Sequence, residues 1–162
     1  RLLNEKYKLN IPTQDLIGYA AKLGSDCPFF IINQACYATG RGEILNSIQL
    51  NLSKYYFVLV NPGIHVNTKW AFEQITPAPS NKNLASILSE PIEEWRDLLV
   101  NDFEAPITKA YPAIGNIKNQ LYQLGASYAA MSGSGSTVFG IFKMKPSDKI
   151  KSAFDCSVFI TS

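Results

Sequence analysis

Met131-Ser132-Gly133-Ser134-Gly135-Ser136-Thr137-Val138-Phe139 decides how the rest of the chain is read. Tyr128-Ala129-Ala130-Met131 leads into it and Thr137-Val138-Phe139-Gly140-Ile141-Phe142 leads out. Apolar, β-branched and aromatic runs bounded by Gly and Ser read as strand, tight turn, strand. Glycine admits positive φ and lets a neighbour come close, so successive N–H groups can converge on one concavity suited to an anion. A hairpin turn without a ligand is the alternative. The spacing is neither GxGxxG nor a P-loop, and no Lys follows the second glycine.

The stretches around this turn set the architecture. Tyr55 to Val60 is a buried strand stopped by Asn61-Pro62-Gly63, and Thr68 caps a short helix carrying Trp70, Ala71 and Phe72. A loop holds Pro77, Pro79, Ser80 and Asn81. Ser89 is expected to cap a helix from Glu90 to about Val100, with Pro91 in its first turn and Trp95, Leu98 and Leu99 facing inward. A second helix runs from Pro112 to Leu124 and closes at Gly125. After the hairpin come a helix near Pro146 to Phe154 and a last strand, Ser157 to Ile160. Strand, helices, strand, strand, helix, strand is the order of a ferredoxin-like split βαβ sandwich, an α+β fold with an antiparallel sheet.

Before Tyr55 the pattern differs. Thr13 is placed to cap a helix whose Leu16, Ile17, Ala20 and Leu23 share a face, ending at Gly24. Ser25-Asp26-Cys27-Pro28-Phe29-Phe30 follows. An isolated carboxylate between a glycine stop and an apolar run is costly to bury unless it is paired or useful. Asp26 therefore either caps the segment opening at Pro28 or serves a function. Gln34 to Gly40 and Glu43 to Leu50 read as strands joined at Gly40-Arg41-Gly42. Arg41 can reach a phosphate, pair with Glu43, or stand in solvent. The polar stretch Asn51 to Lys54 marks a seam, giving expected domains at 1–52 and 53–162.

Composition limits the function classes. The 162 residues are 46% hydrophobic and 17% charged, enough to bury a core. A net charge of +2 argues for neither nucleic acid nor a membrane surface as partner. Cys27, Cys36 and Cys156 are odd in number and lie in no metal-ligand spacing; they read as thiols of a reducing compartment, hence the cytoplasm. No apolar run approaches the roughly 20 residues of a spanning helix.

Four stretches stand in a particular order: LGSDCPFF (Leu23 to Phe30), GRGE (Gly40 to Glu43), NDFE (Asn101 to Glu104) and GASYAAMSGSGSTVFG (Gly125 to Gly140). Together they resemble the GHMP kinase superfamily, in particular its members that phosphorylate a cytidyl-bearing alcohol in isoprenoid precursor synthesis. Ser25 stands where that pattern usually has Ala, a difference of one hydroxyl. The family's first motif, with its lysine, and its second, the glycine- and serine-rich loop that cradles ATP phosphates, have no match here. The resemblance thus implies roughly the C-terminal half of a kinase: the tail of an N-terminal ribosomal-protein-S5-like domain, then the whole C-terminal domain. It implies ATP and Mg2+ as cofactors of the whole enzyme, neither bound by this chain alone, and no metal site here. The implied partners are a cytidyl small molecule, the remaining half of the protein and, as an open option, a second copy in a homodimer.

The resemblance also assigns roles. Asp26 corresponds to the aspartate beside the acceptor hydroxyl, acting as base or orienting group. Thr68 and Phe72 correspond to substrate positions, four apart at a helix start and hence on one face. Phe72 would stack on cytosine, with plain core packing as its alternative. The loop Ser132, Gly133, Ser134, Gly135, Ser136 is the family's third motif, expected to shape the pocket with backbone N–H groups near the site of phosphate transfer. His65 is expected on a loop, without a catalytic role, while Asp102 and Glu104 read as first-turn acids favoured by the helix dipole. Another kinase of the superfamily, acting on mevalonate or homoserine, and a non-catalytic ferredoxin-like binding module are the competing readings. The half-kinase reading also expects an exposed apolar face over Arg1 to Leu50.

Overall fold

The computed structural model describes residues 1–40, 42–77 and 83–161. The roles considered for Arg41 and for the loop positions Pro79, Ser80 and Asn81 lie outside the described residues. The chain divides into two compact units, Arg1–Leu50 and Asn51–Ser162.

The first unit holds three short helices, α1 (Leu2–Lys6), α2 (Thr13–Leu23) and α3 (Cys27–Ile32), then a hairpin of β1 (Cys36–Thr39) and β2 (Ile44–Ser47). The hairpin is antiparallel, with Cys36 opposite Ser47 and Thr39 opposite Ile44. Both strands are shorter than expected. Thr13 is the first helical residue rather than the cap; Pro12 holds the cap position, and no side chain bonds there. Gly24 does end α2, but with extended backbone at φ 172 rather than in the left-handed region. Leu16 and Ile17 are half-buried and Ala20 buried, whereas Leu23, the last residue of the helix, is exposed. Among the described residues of this unit only Ala20 and Pro28 are buried, while Leu2, Leu3, Tyr19, Phe30 and Ile44 are exposed.

The second unit is the expected α+β sandwich. Its sheet contains β3 (Tyr56–Asn61), β4 (Tyr128–Met131), β5 (Val138–Phe142) and β6 (Ser157–Thr161). Their spatial order is β4-β5-β3-β6, every neighbour antiparallel. The first strand in sequence thus lies between the last two, which is the split βαβ arrangement. Alternation selects the faces. Val58 and Val60 of β3 are buried, and they pack in one cluster with Val138 and Phe142 of β5. Helices α7 (Glu104–Ala110) and α8 (Pro112–Gln123) cover them. Ile114, Ile117 and Leu121 recur at helical spacing on α8 and are buried with Ile107 of α7. Burying each such side chain is worth about 1.5–3 kcal/mol, so this stripe is what docks the helices.

The helix expected from Glu90 to Val100 is instead broken. Helix α5 (Leu84–Ser89) ends where a start was expected, a 3-10 turn occupies Ile92–Glu94, and α6 (Trp95–Leu98) is one turn long. Glu90 precedes a proline and is extended, ψ 159, because proline's ring disfavours helical geometry in the residue before it. Trp95 is buried as expected, together with Ile92, but Leu98 is exposed and Leu99 half-buried. The segment expected as a helix near Pro146 is a 3-10 helix, Asp148–Ala153, followed by buried Phe154. Tyr55 precedes β3 rather than lying within it.

Candidate functional site

In the first unit Asp26 occupies the cap position of α3, yet its backbone is helical (φ −87, ψ −13) and its side chain makes no capping bond. The capping alternative is therefore not realised. The exposed carboxylate accepts from Ser25 Oγ at 3.5 Å. Opposite it stands Gly42, at φ +109, where a Cβ would come within 3.0 Å of Asp26 Oδ1. The second glycine of the GRGE turn thus serves two needs, a left-handed backbone and room for the carboxylate. Asp26, Phe29, Phe30, Cys36, Gly42 and Leu45 border a cavity of about 260 Å³.

In the second unit helix α4 (Thr68–Glu73) is capped by Asn67, whose side chain accepts from Trp70 N. Thr68 was expected to cap; because Asn67 does so, the Thr68 hydroxyl is free to face Ser134 Oγ at 3.4 Å. Phe72, one helical turn on, is 59% exposed. Its ring stands edge-on to Phe103 at 4.9 Å between centroids and 81°. Phe72 is thus not a covered core residue.

The serine-glycine stretch is the expected hairpin turn between β4 and β5. Ser132 N donates to Thr137 O at 2.8 Å, and Gly135 N to Ser132 O at 3.0 Å. Gly133 and Gly135 have φ of +56 and +91. The N–H groups of Gly133, Ser134 and Ser136 have no acceptor among the described residues. Ser136 is buried, the other serines less so.

Sequence reasoning missed how this turn is held. The Asn101 amide donates to the carbonyls of Met131 and Gly133, each at 2.8 Å, while its own oxygen accepts from Phe103 N at 3.0 Å. Glu104 is 8% exposed. Its Oε1 accepts from Met131 N at 2.6 Å, and its Oε2 is paired with Lys118 Nζ. Glu104 is thus a buried strand-binding carboxylate, not simply a first-turn acid; the exposed Asp102 precedes the helix altogether. Beside them Tyr128 donates to Leu99 O at 2.7 Å. Burial first, then the Glu104 charge and Tyr122, hold its phenol well above the ordinary tyrosine range. The quoted NDFE motif was the available signal, but nothing local in it names Met131 as partner. His65 lies exposed, as expected. Thr68, Phe72 and the turn come together in the second unit, and Asp26 belongs to the first.

Among the described residues no group of three or more His, Cys, Asp or Glu side chains could hold a metal ion. No helix of the described residues is long and apolar enough to cross a membrane.

Residues 82–161 match the family model for the C-terminal domain of GHMP kinases. The chain is 47% identical over 150 residues to 4-diphosphocytidyl-2-C-methyl-D-erythritol kinase of Bacteroides fragilis, covering 93% of this chain and 54% of that kinase. The enzyme of the same name from Parabacteroides distasonis is 43% identical over 157 residues, covering 96% and 58%. A crystal structure of 4-(cytidine 5'-diphospho)-2C-methyl-D-erythritol kinase superposes with a TM-score of 0.82 at 24% identity, over 98% of this chain and 59% of that one. Homoserine kinase from Cytophaga hutchinsonii superposes with a TM-score of 0.66 at 14% identity, over 99% and 61%; at such identities the likeness is one of fold. The chain spans about half the length of the curated relatives it matches. Residues 82–161 belong to the C-terminal domain family of the GHMP kinases.

Proposed function

We propose that this chain is the acceptor-binding portion of a kinase that moves the terminal phosphoryl group of ATP to the 2-hydroxyl of 4-diphosphocytidyl-2-C-methyl-D-erythritol, a step in non-mevalonate isoprenoid precursor synthesis. One observation carries the reading: 43–47% identity, over more than nine-tenths of the chain, to enzymes bearing that name.

Phosphoryl transfer asks a protein chiefly for positioning and charge stabilisation. Asp26 takes the proton of the acceptor hydroxyl as its oxygen bonds to phosphorus and the bond from phosphorus to the ADP oxygen breaks. Its exposed carboxylate, unused as a cap, supports this role. Phe72 offers its exposed ring to the cytosine, and base–aromatic contacts are worth about 1–3 kcal/mol. Thr68 orients the same substrate from one turn away. The turn from Ser132 to Ser136 contributes N–H groups to an anionic part of the ligand, a use that suits its unbonded amides. ATP brings Mg2+, which neutralises phosphate charge when bound. The phosphate cradle for ATP is assigned to the part of the relatives this chain does not span, and the 162-residue chain alone is expected to be inactive. The free thiols of Cys27, Cys36 and Cys156 fit a cytoplasmic protein.

The test is ADP release by the full-length protein with the cytidyl substrate, homoserine or mevalonate as acceptor. Turnover confined to the cytidyl substrate is expected; a preference for homoserine or mevalonate overturns the assignment. Asp26→Ala should lower kcat by about 10²- to 10⁴-fold with an unchanged melting temperature. An unaltered kcat removes Asp26 from the chemistry.

A further inference from the structure

We infer that Asn101, Phe103 and Glu104 form a positioning bracket that holds the serine-glycine turn and the ring of Phe72 in one fixed relation. The inference rests on the proposed kinase reading for what these two elements bind. None of the three residues touches the reacting atoms in this account; each acts through another.

Strand β4 is an edge of the sheet, bonded to β5 on one side only. Its other edge would leave backbone groups open at Met131, just where the turn begins. Two side chains from one short segment close it. Glu104 Oε1 takes the Met131 N–H at 2.6 Å, and the Asn101 amide takes the Met131 carbonyl at 2.8 Å. The same amide reaches past the strand end to the Gly133 carbonyl at 2.8 Å. That last bond goes to the turn itself, which has only two backbone bonds of its own among the described residues. Glycine-rich turns carry much backbone freedom, so an external tie at Gly133 determines where the N–H groups of Gly133 and Ser134 point.

Between these two residues lies Phe103. Its backbone N–H is held by Asn101 Oδ1 at 3.0 Å, and its ring supports Phe72 from the inner side, edge-on at 4.9 Å. Helix α4 touches the turn once more through Thr68 Oγ1 and Ser134 Oγ at 3.4 Å. Three residues within one four-residue segment, Asn101, Phe103 and Glu104, therefore set both the aromatic platform and the turn. A shift of about 1 Å in such elements can cost on the order of 10²-fold in rate. Lys118, paired with Glu104 Oε2, keeps the carboxylate in place from α8.

The test uses the full-length protein and compares Asn101→Ala, Phe103→Ala, Phe103→Tyr and Glu104→Gln. Phe103→Ala should raise KM for the cytidyl substrate about tenfold while KM for ATP stays within about twofold, and Phe103→Tyr, which keeps the ring edge, should restore it. Asn101→Ala should lower kcat about 10- to 100-fold. Glu104→Gln retains an acceptor for Met131 N and should lose less. Hydrogen exchange on a peptide spanning Met131 to Thr137 should speed up in Asn101→Ala and not in Phe103→Ala, with β6 unchanged in both. Kinetic losses that merely track melting temperature, or exchange that rises equally across the sheet, overturn the bracket. Should Asn101→Ala not fold, the Phe103→Ala and Phe103→Tyr pair decides. If the wild-type protein fails to phosphorylate the cytidyl substrate, the kinase reading falls, while turn-confined exchange would still uphold the bracket.

Discussion

Replacing the two turn glycines one at a time separates backbone strain from steric exclusion. Gly133 has φ +56 and a Cβ there would meet nothing within 4 Å. Gly133→Ala therefore suffers only the left-handed penalty, about 1–2 kcal/mol. Gly135 has φ +91, and its Cβ would lie 2.9 Å from Met131 Sδ and 3.6 Å from Val66 Cγ2. Met131 is buried, so the sulfur cannot swing into solvent, and overpacking adds about 1–3 kcal/mol. Gly135→Ala should then lose about 2–5 kcal/mol in all. With a urea slope of about 2 kcal/mol/M, the midpoint falls by about 1–2.5 M, against at most about 1 M for Gly133→Ala. Both tryptophans, Trp70 and Trp95, lie in the second unit, so urea titration followed by their fluorescence reports the relevant core. Equal midpoints for the two variants, or a Gly135→Ala midpoint within error of the parent, would refute the steric argument.

Phe72→Ala should raise KM for the cytidyl substrate far more than for ATP in steady-state kinetics of the full-length protein, whereas equal effects would return Phe72 to packing. Burial raises the Tyr128 phenol above its ordinary value of about 10, so the folded chain favours the neutral form. That contribution is complete below the ordinary value and is lost as pH climbs above it; Tyr128→Phe should remove this alkaline component from a plot of urea midpoint against pH. The same change deprives the Leu99 carbonyl of its donor, a loss of about 1 kcal/mol at neutral pH. The exposed Glu93 carboxyl is lowered, chiefly by its hydrogen bond to Lys143. Its small contribution is present above the ordinary glutamate range and disappears as pH falls through the lowered value. Glu93→Gln should flatten that acid limb at low ionic strength and change nothing in high salt, as read from midpoints between about pH 3 and 6.

Much of this protein is written locally. The apolar runs at Tyr56 to Val60 and Val138 to Phe142, the helical spacing of Ile114, Ile117 and Leu121, and the glycines of the turn each express preferences that act over a few residues. They suffice for the order of strands and helices, and that order leaves few topologies open. Family motifs brought Asp26, Thr68, Phe72 and the turn into view. The local reading failed where Asn67 displaced Thr68 at the cap of α4, and where the continuous helix expected from Glu90, with Pro91 in its first turn, proved to be a 3-10 turn and one turn of α-helix.

Tertiary structure alone decided what Glu104 and Asn101 do. The strand and turn groups they hold, at Met131 and Gly133, lie 27 to 32 residues further along the chain, beyond the reach of any periodicity or cap. A carboxylate at a helix start looks the same in sequence whether it faces water or the open edge of a strand. Only folding brings the Met131 N–H, cut off from solvent and unsatisfied by β5, against that carboxylate, and the free energy of leaving such a group unpaired is what selects the contact.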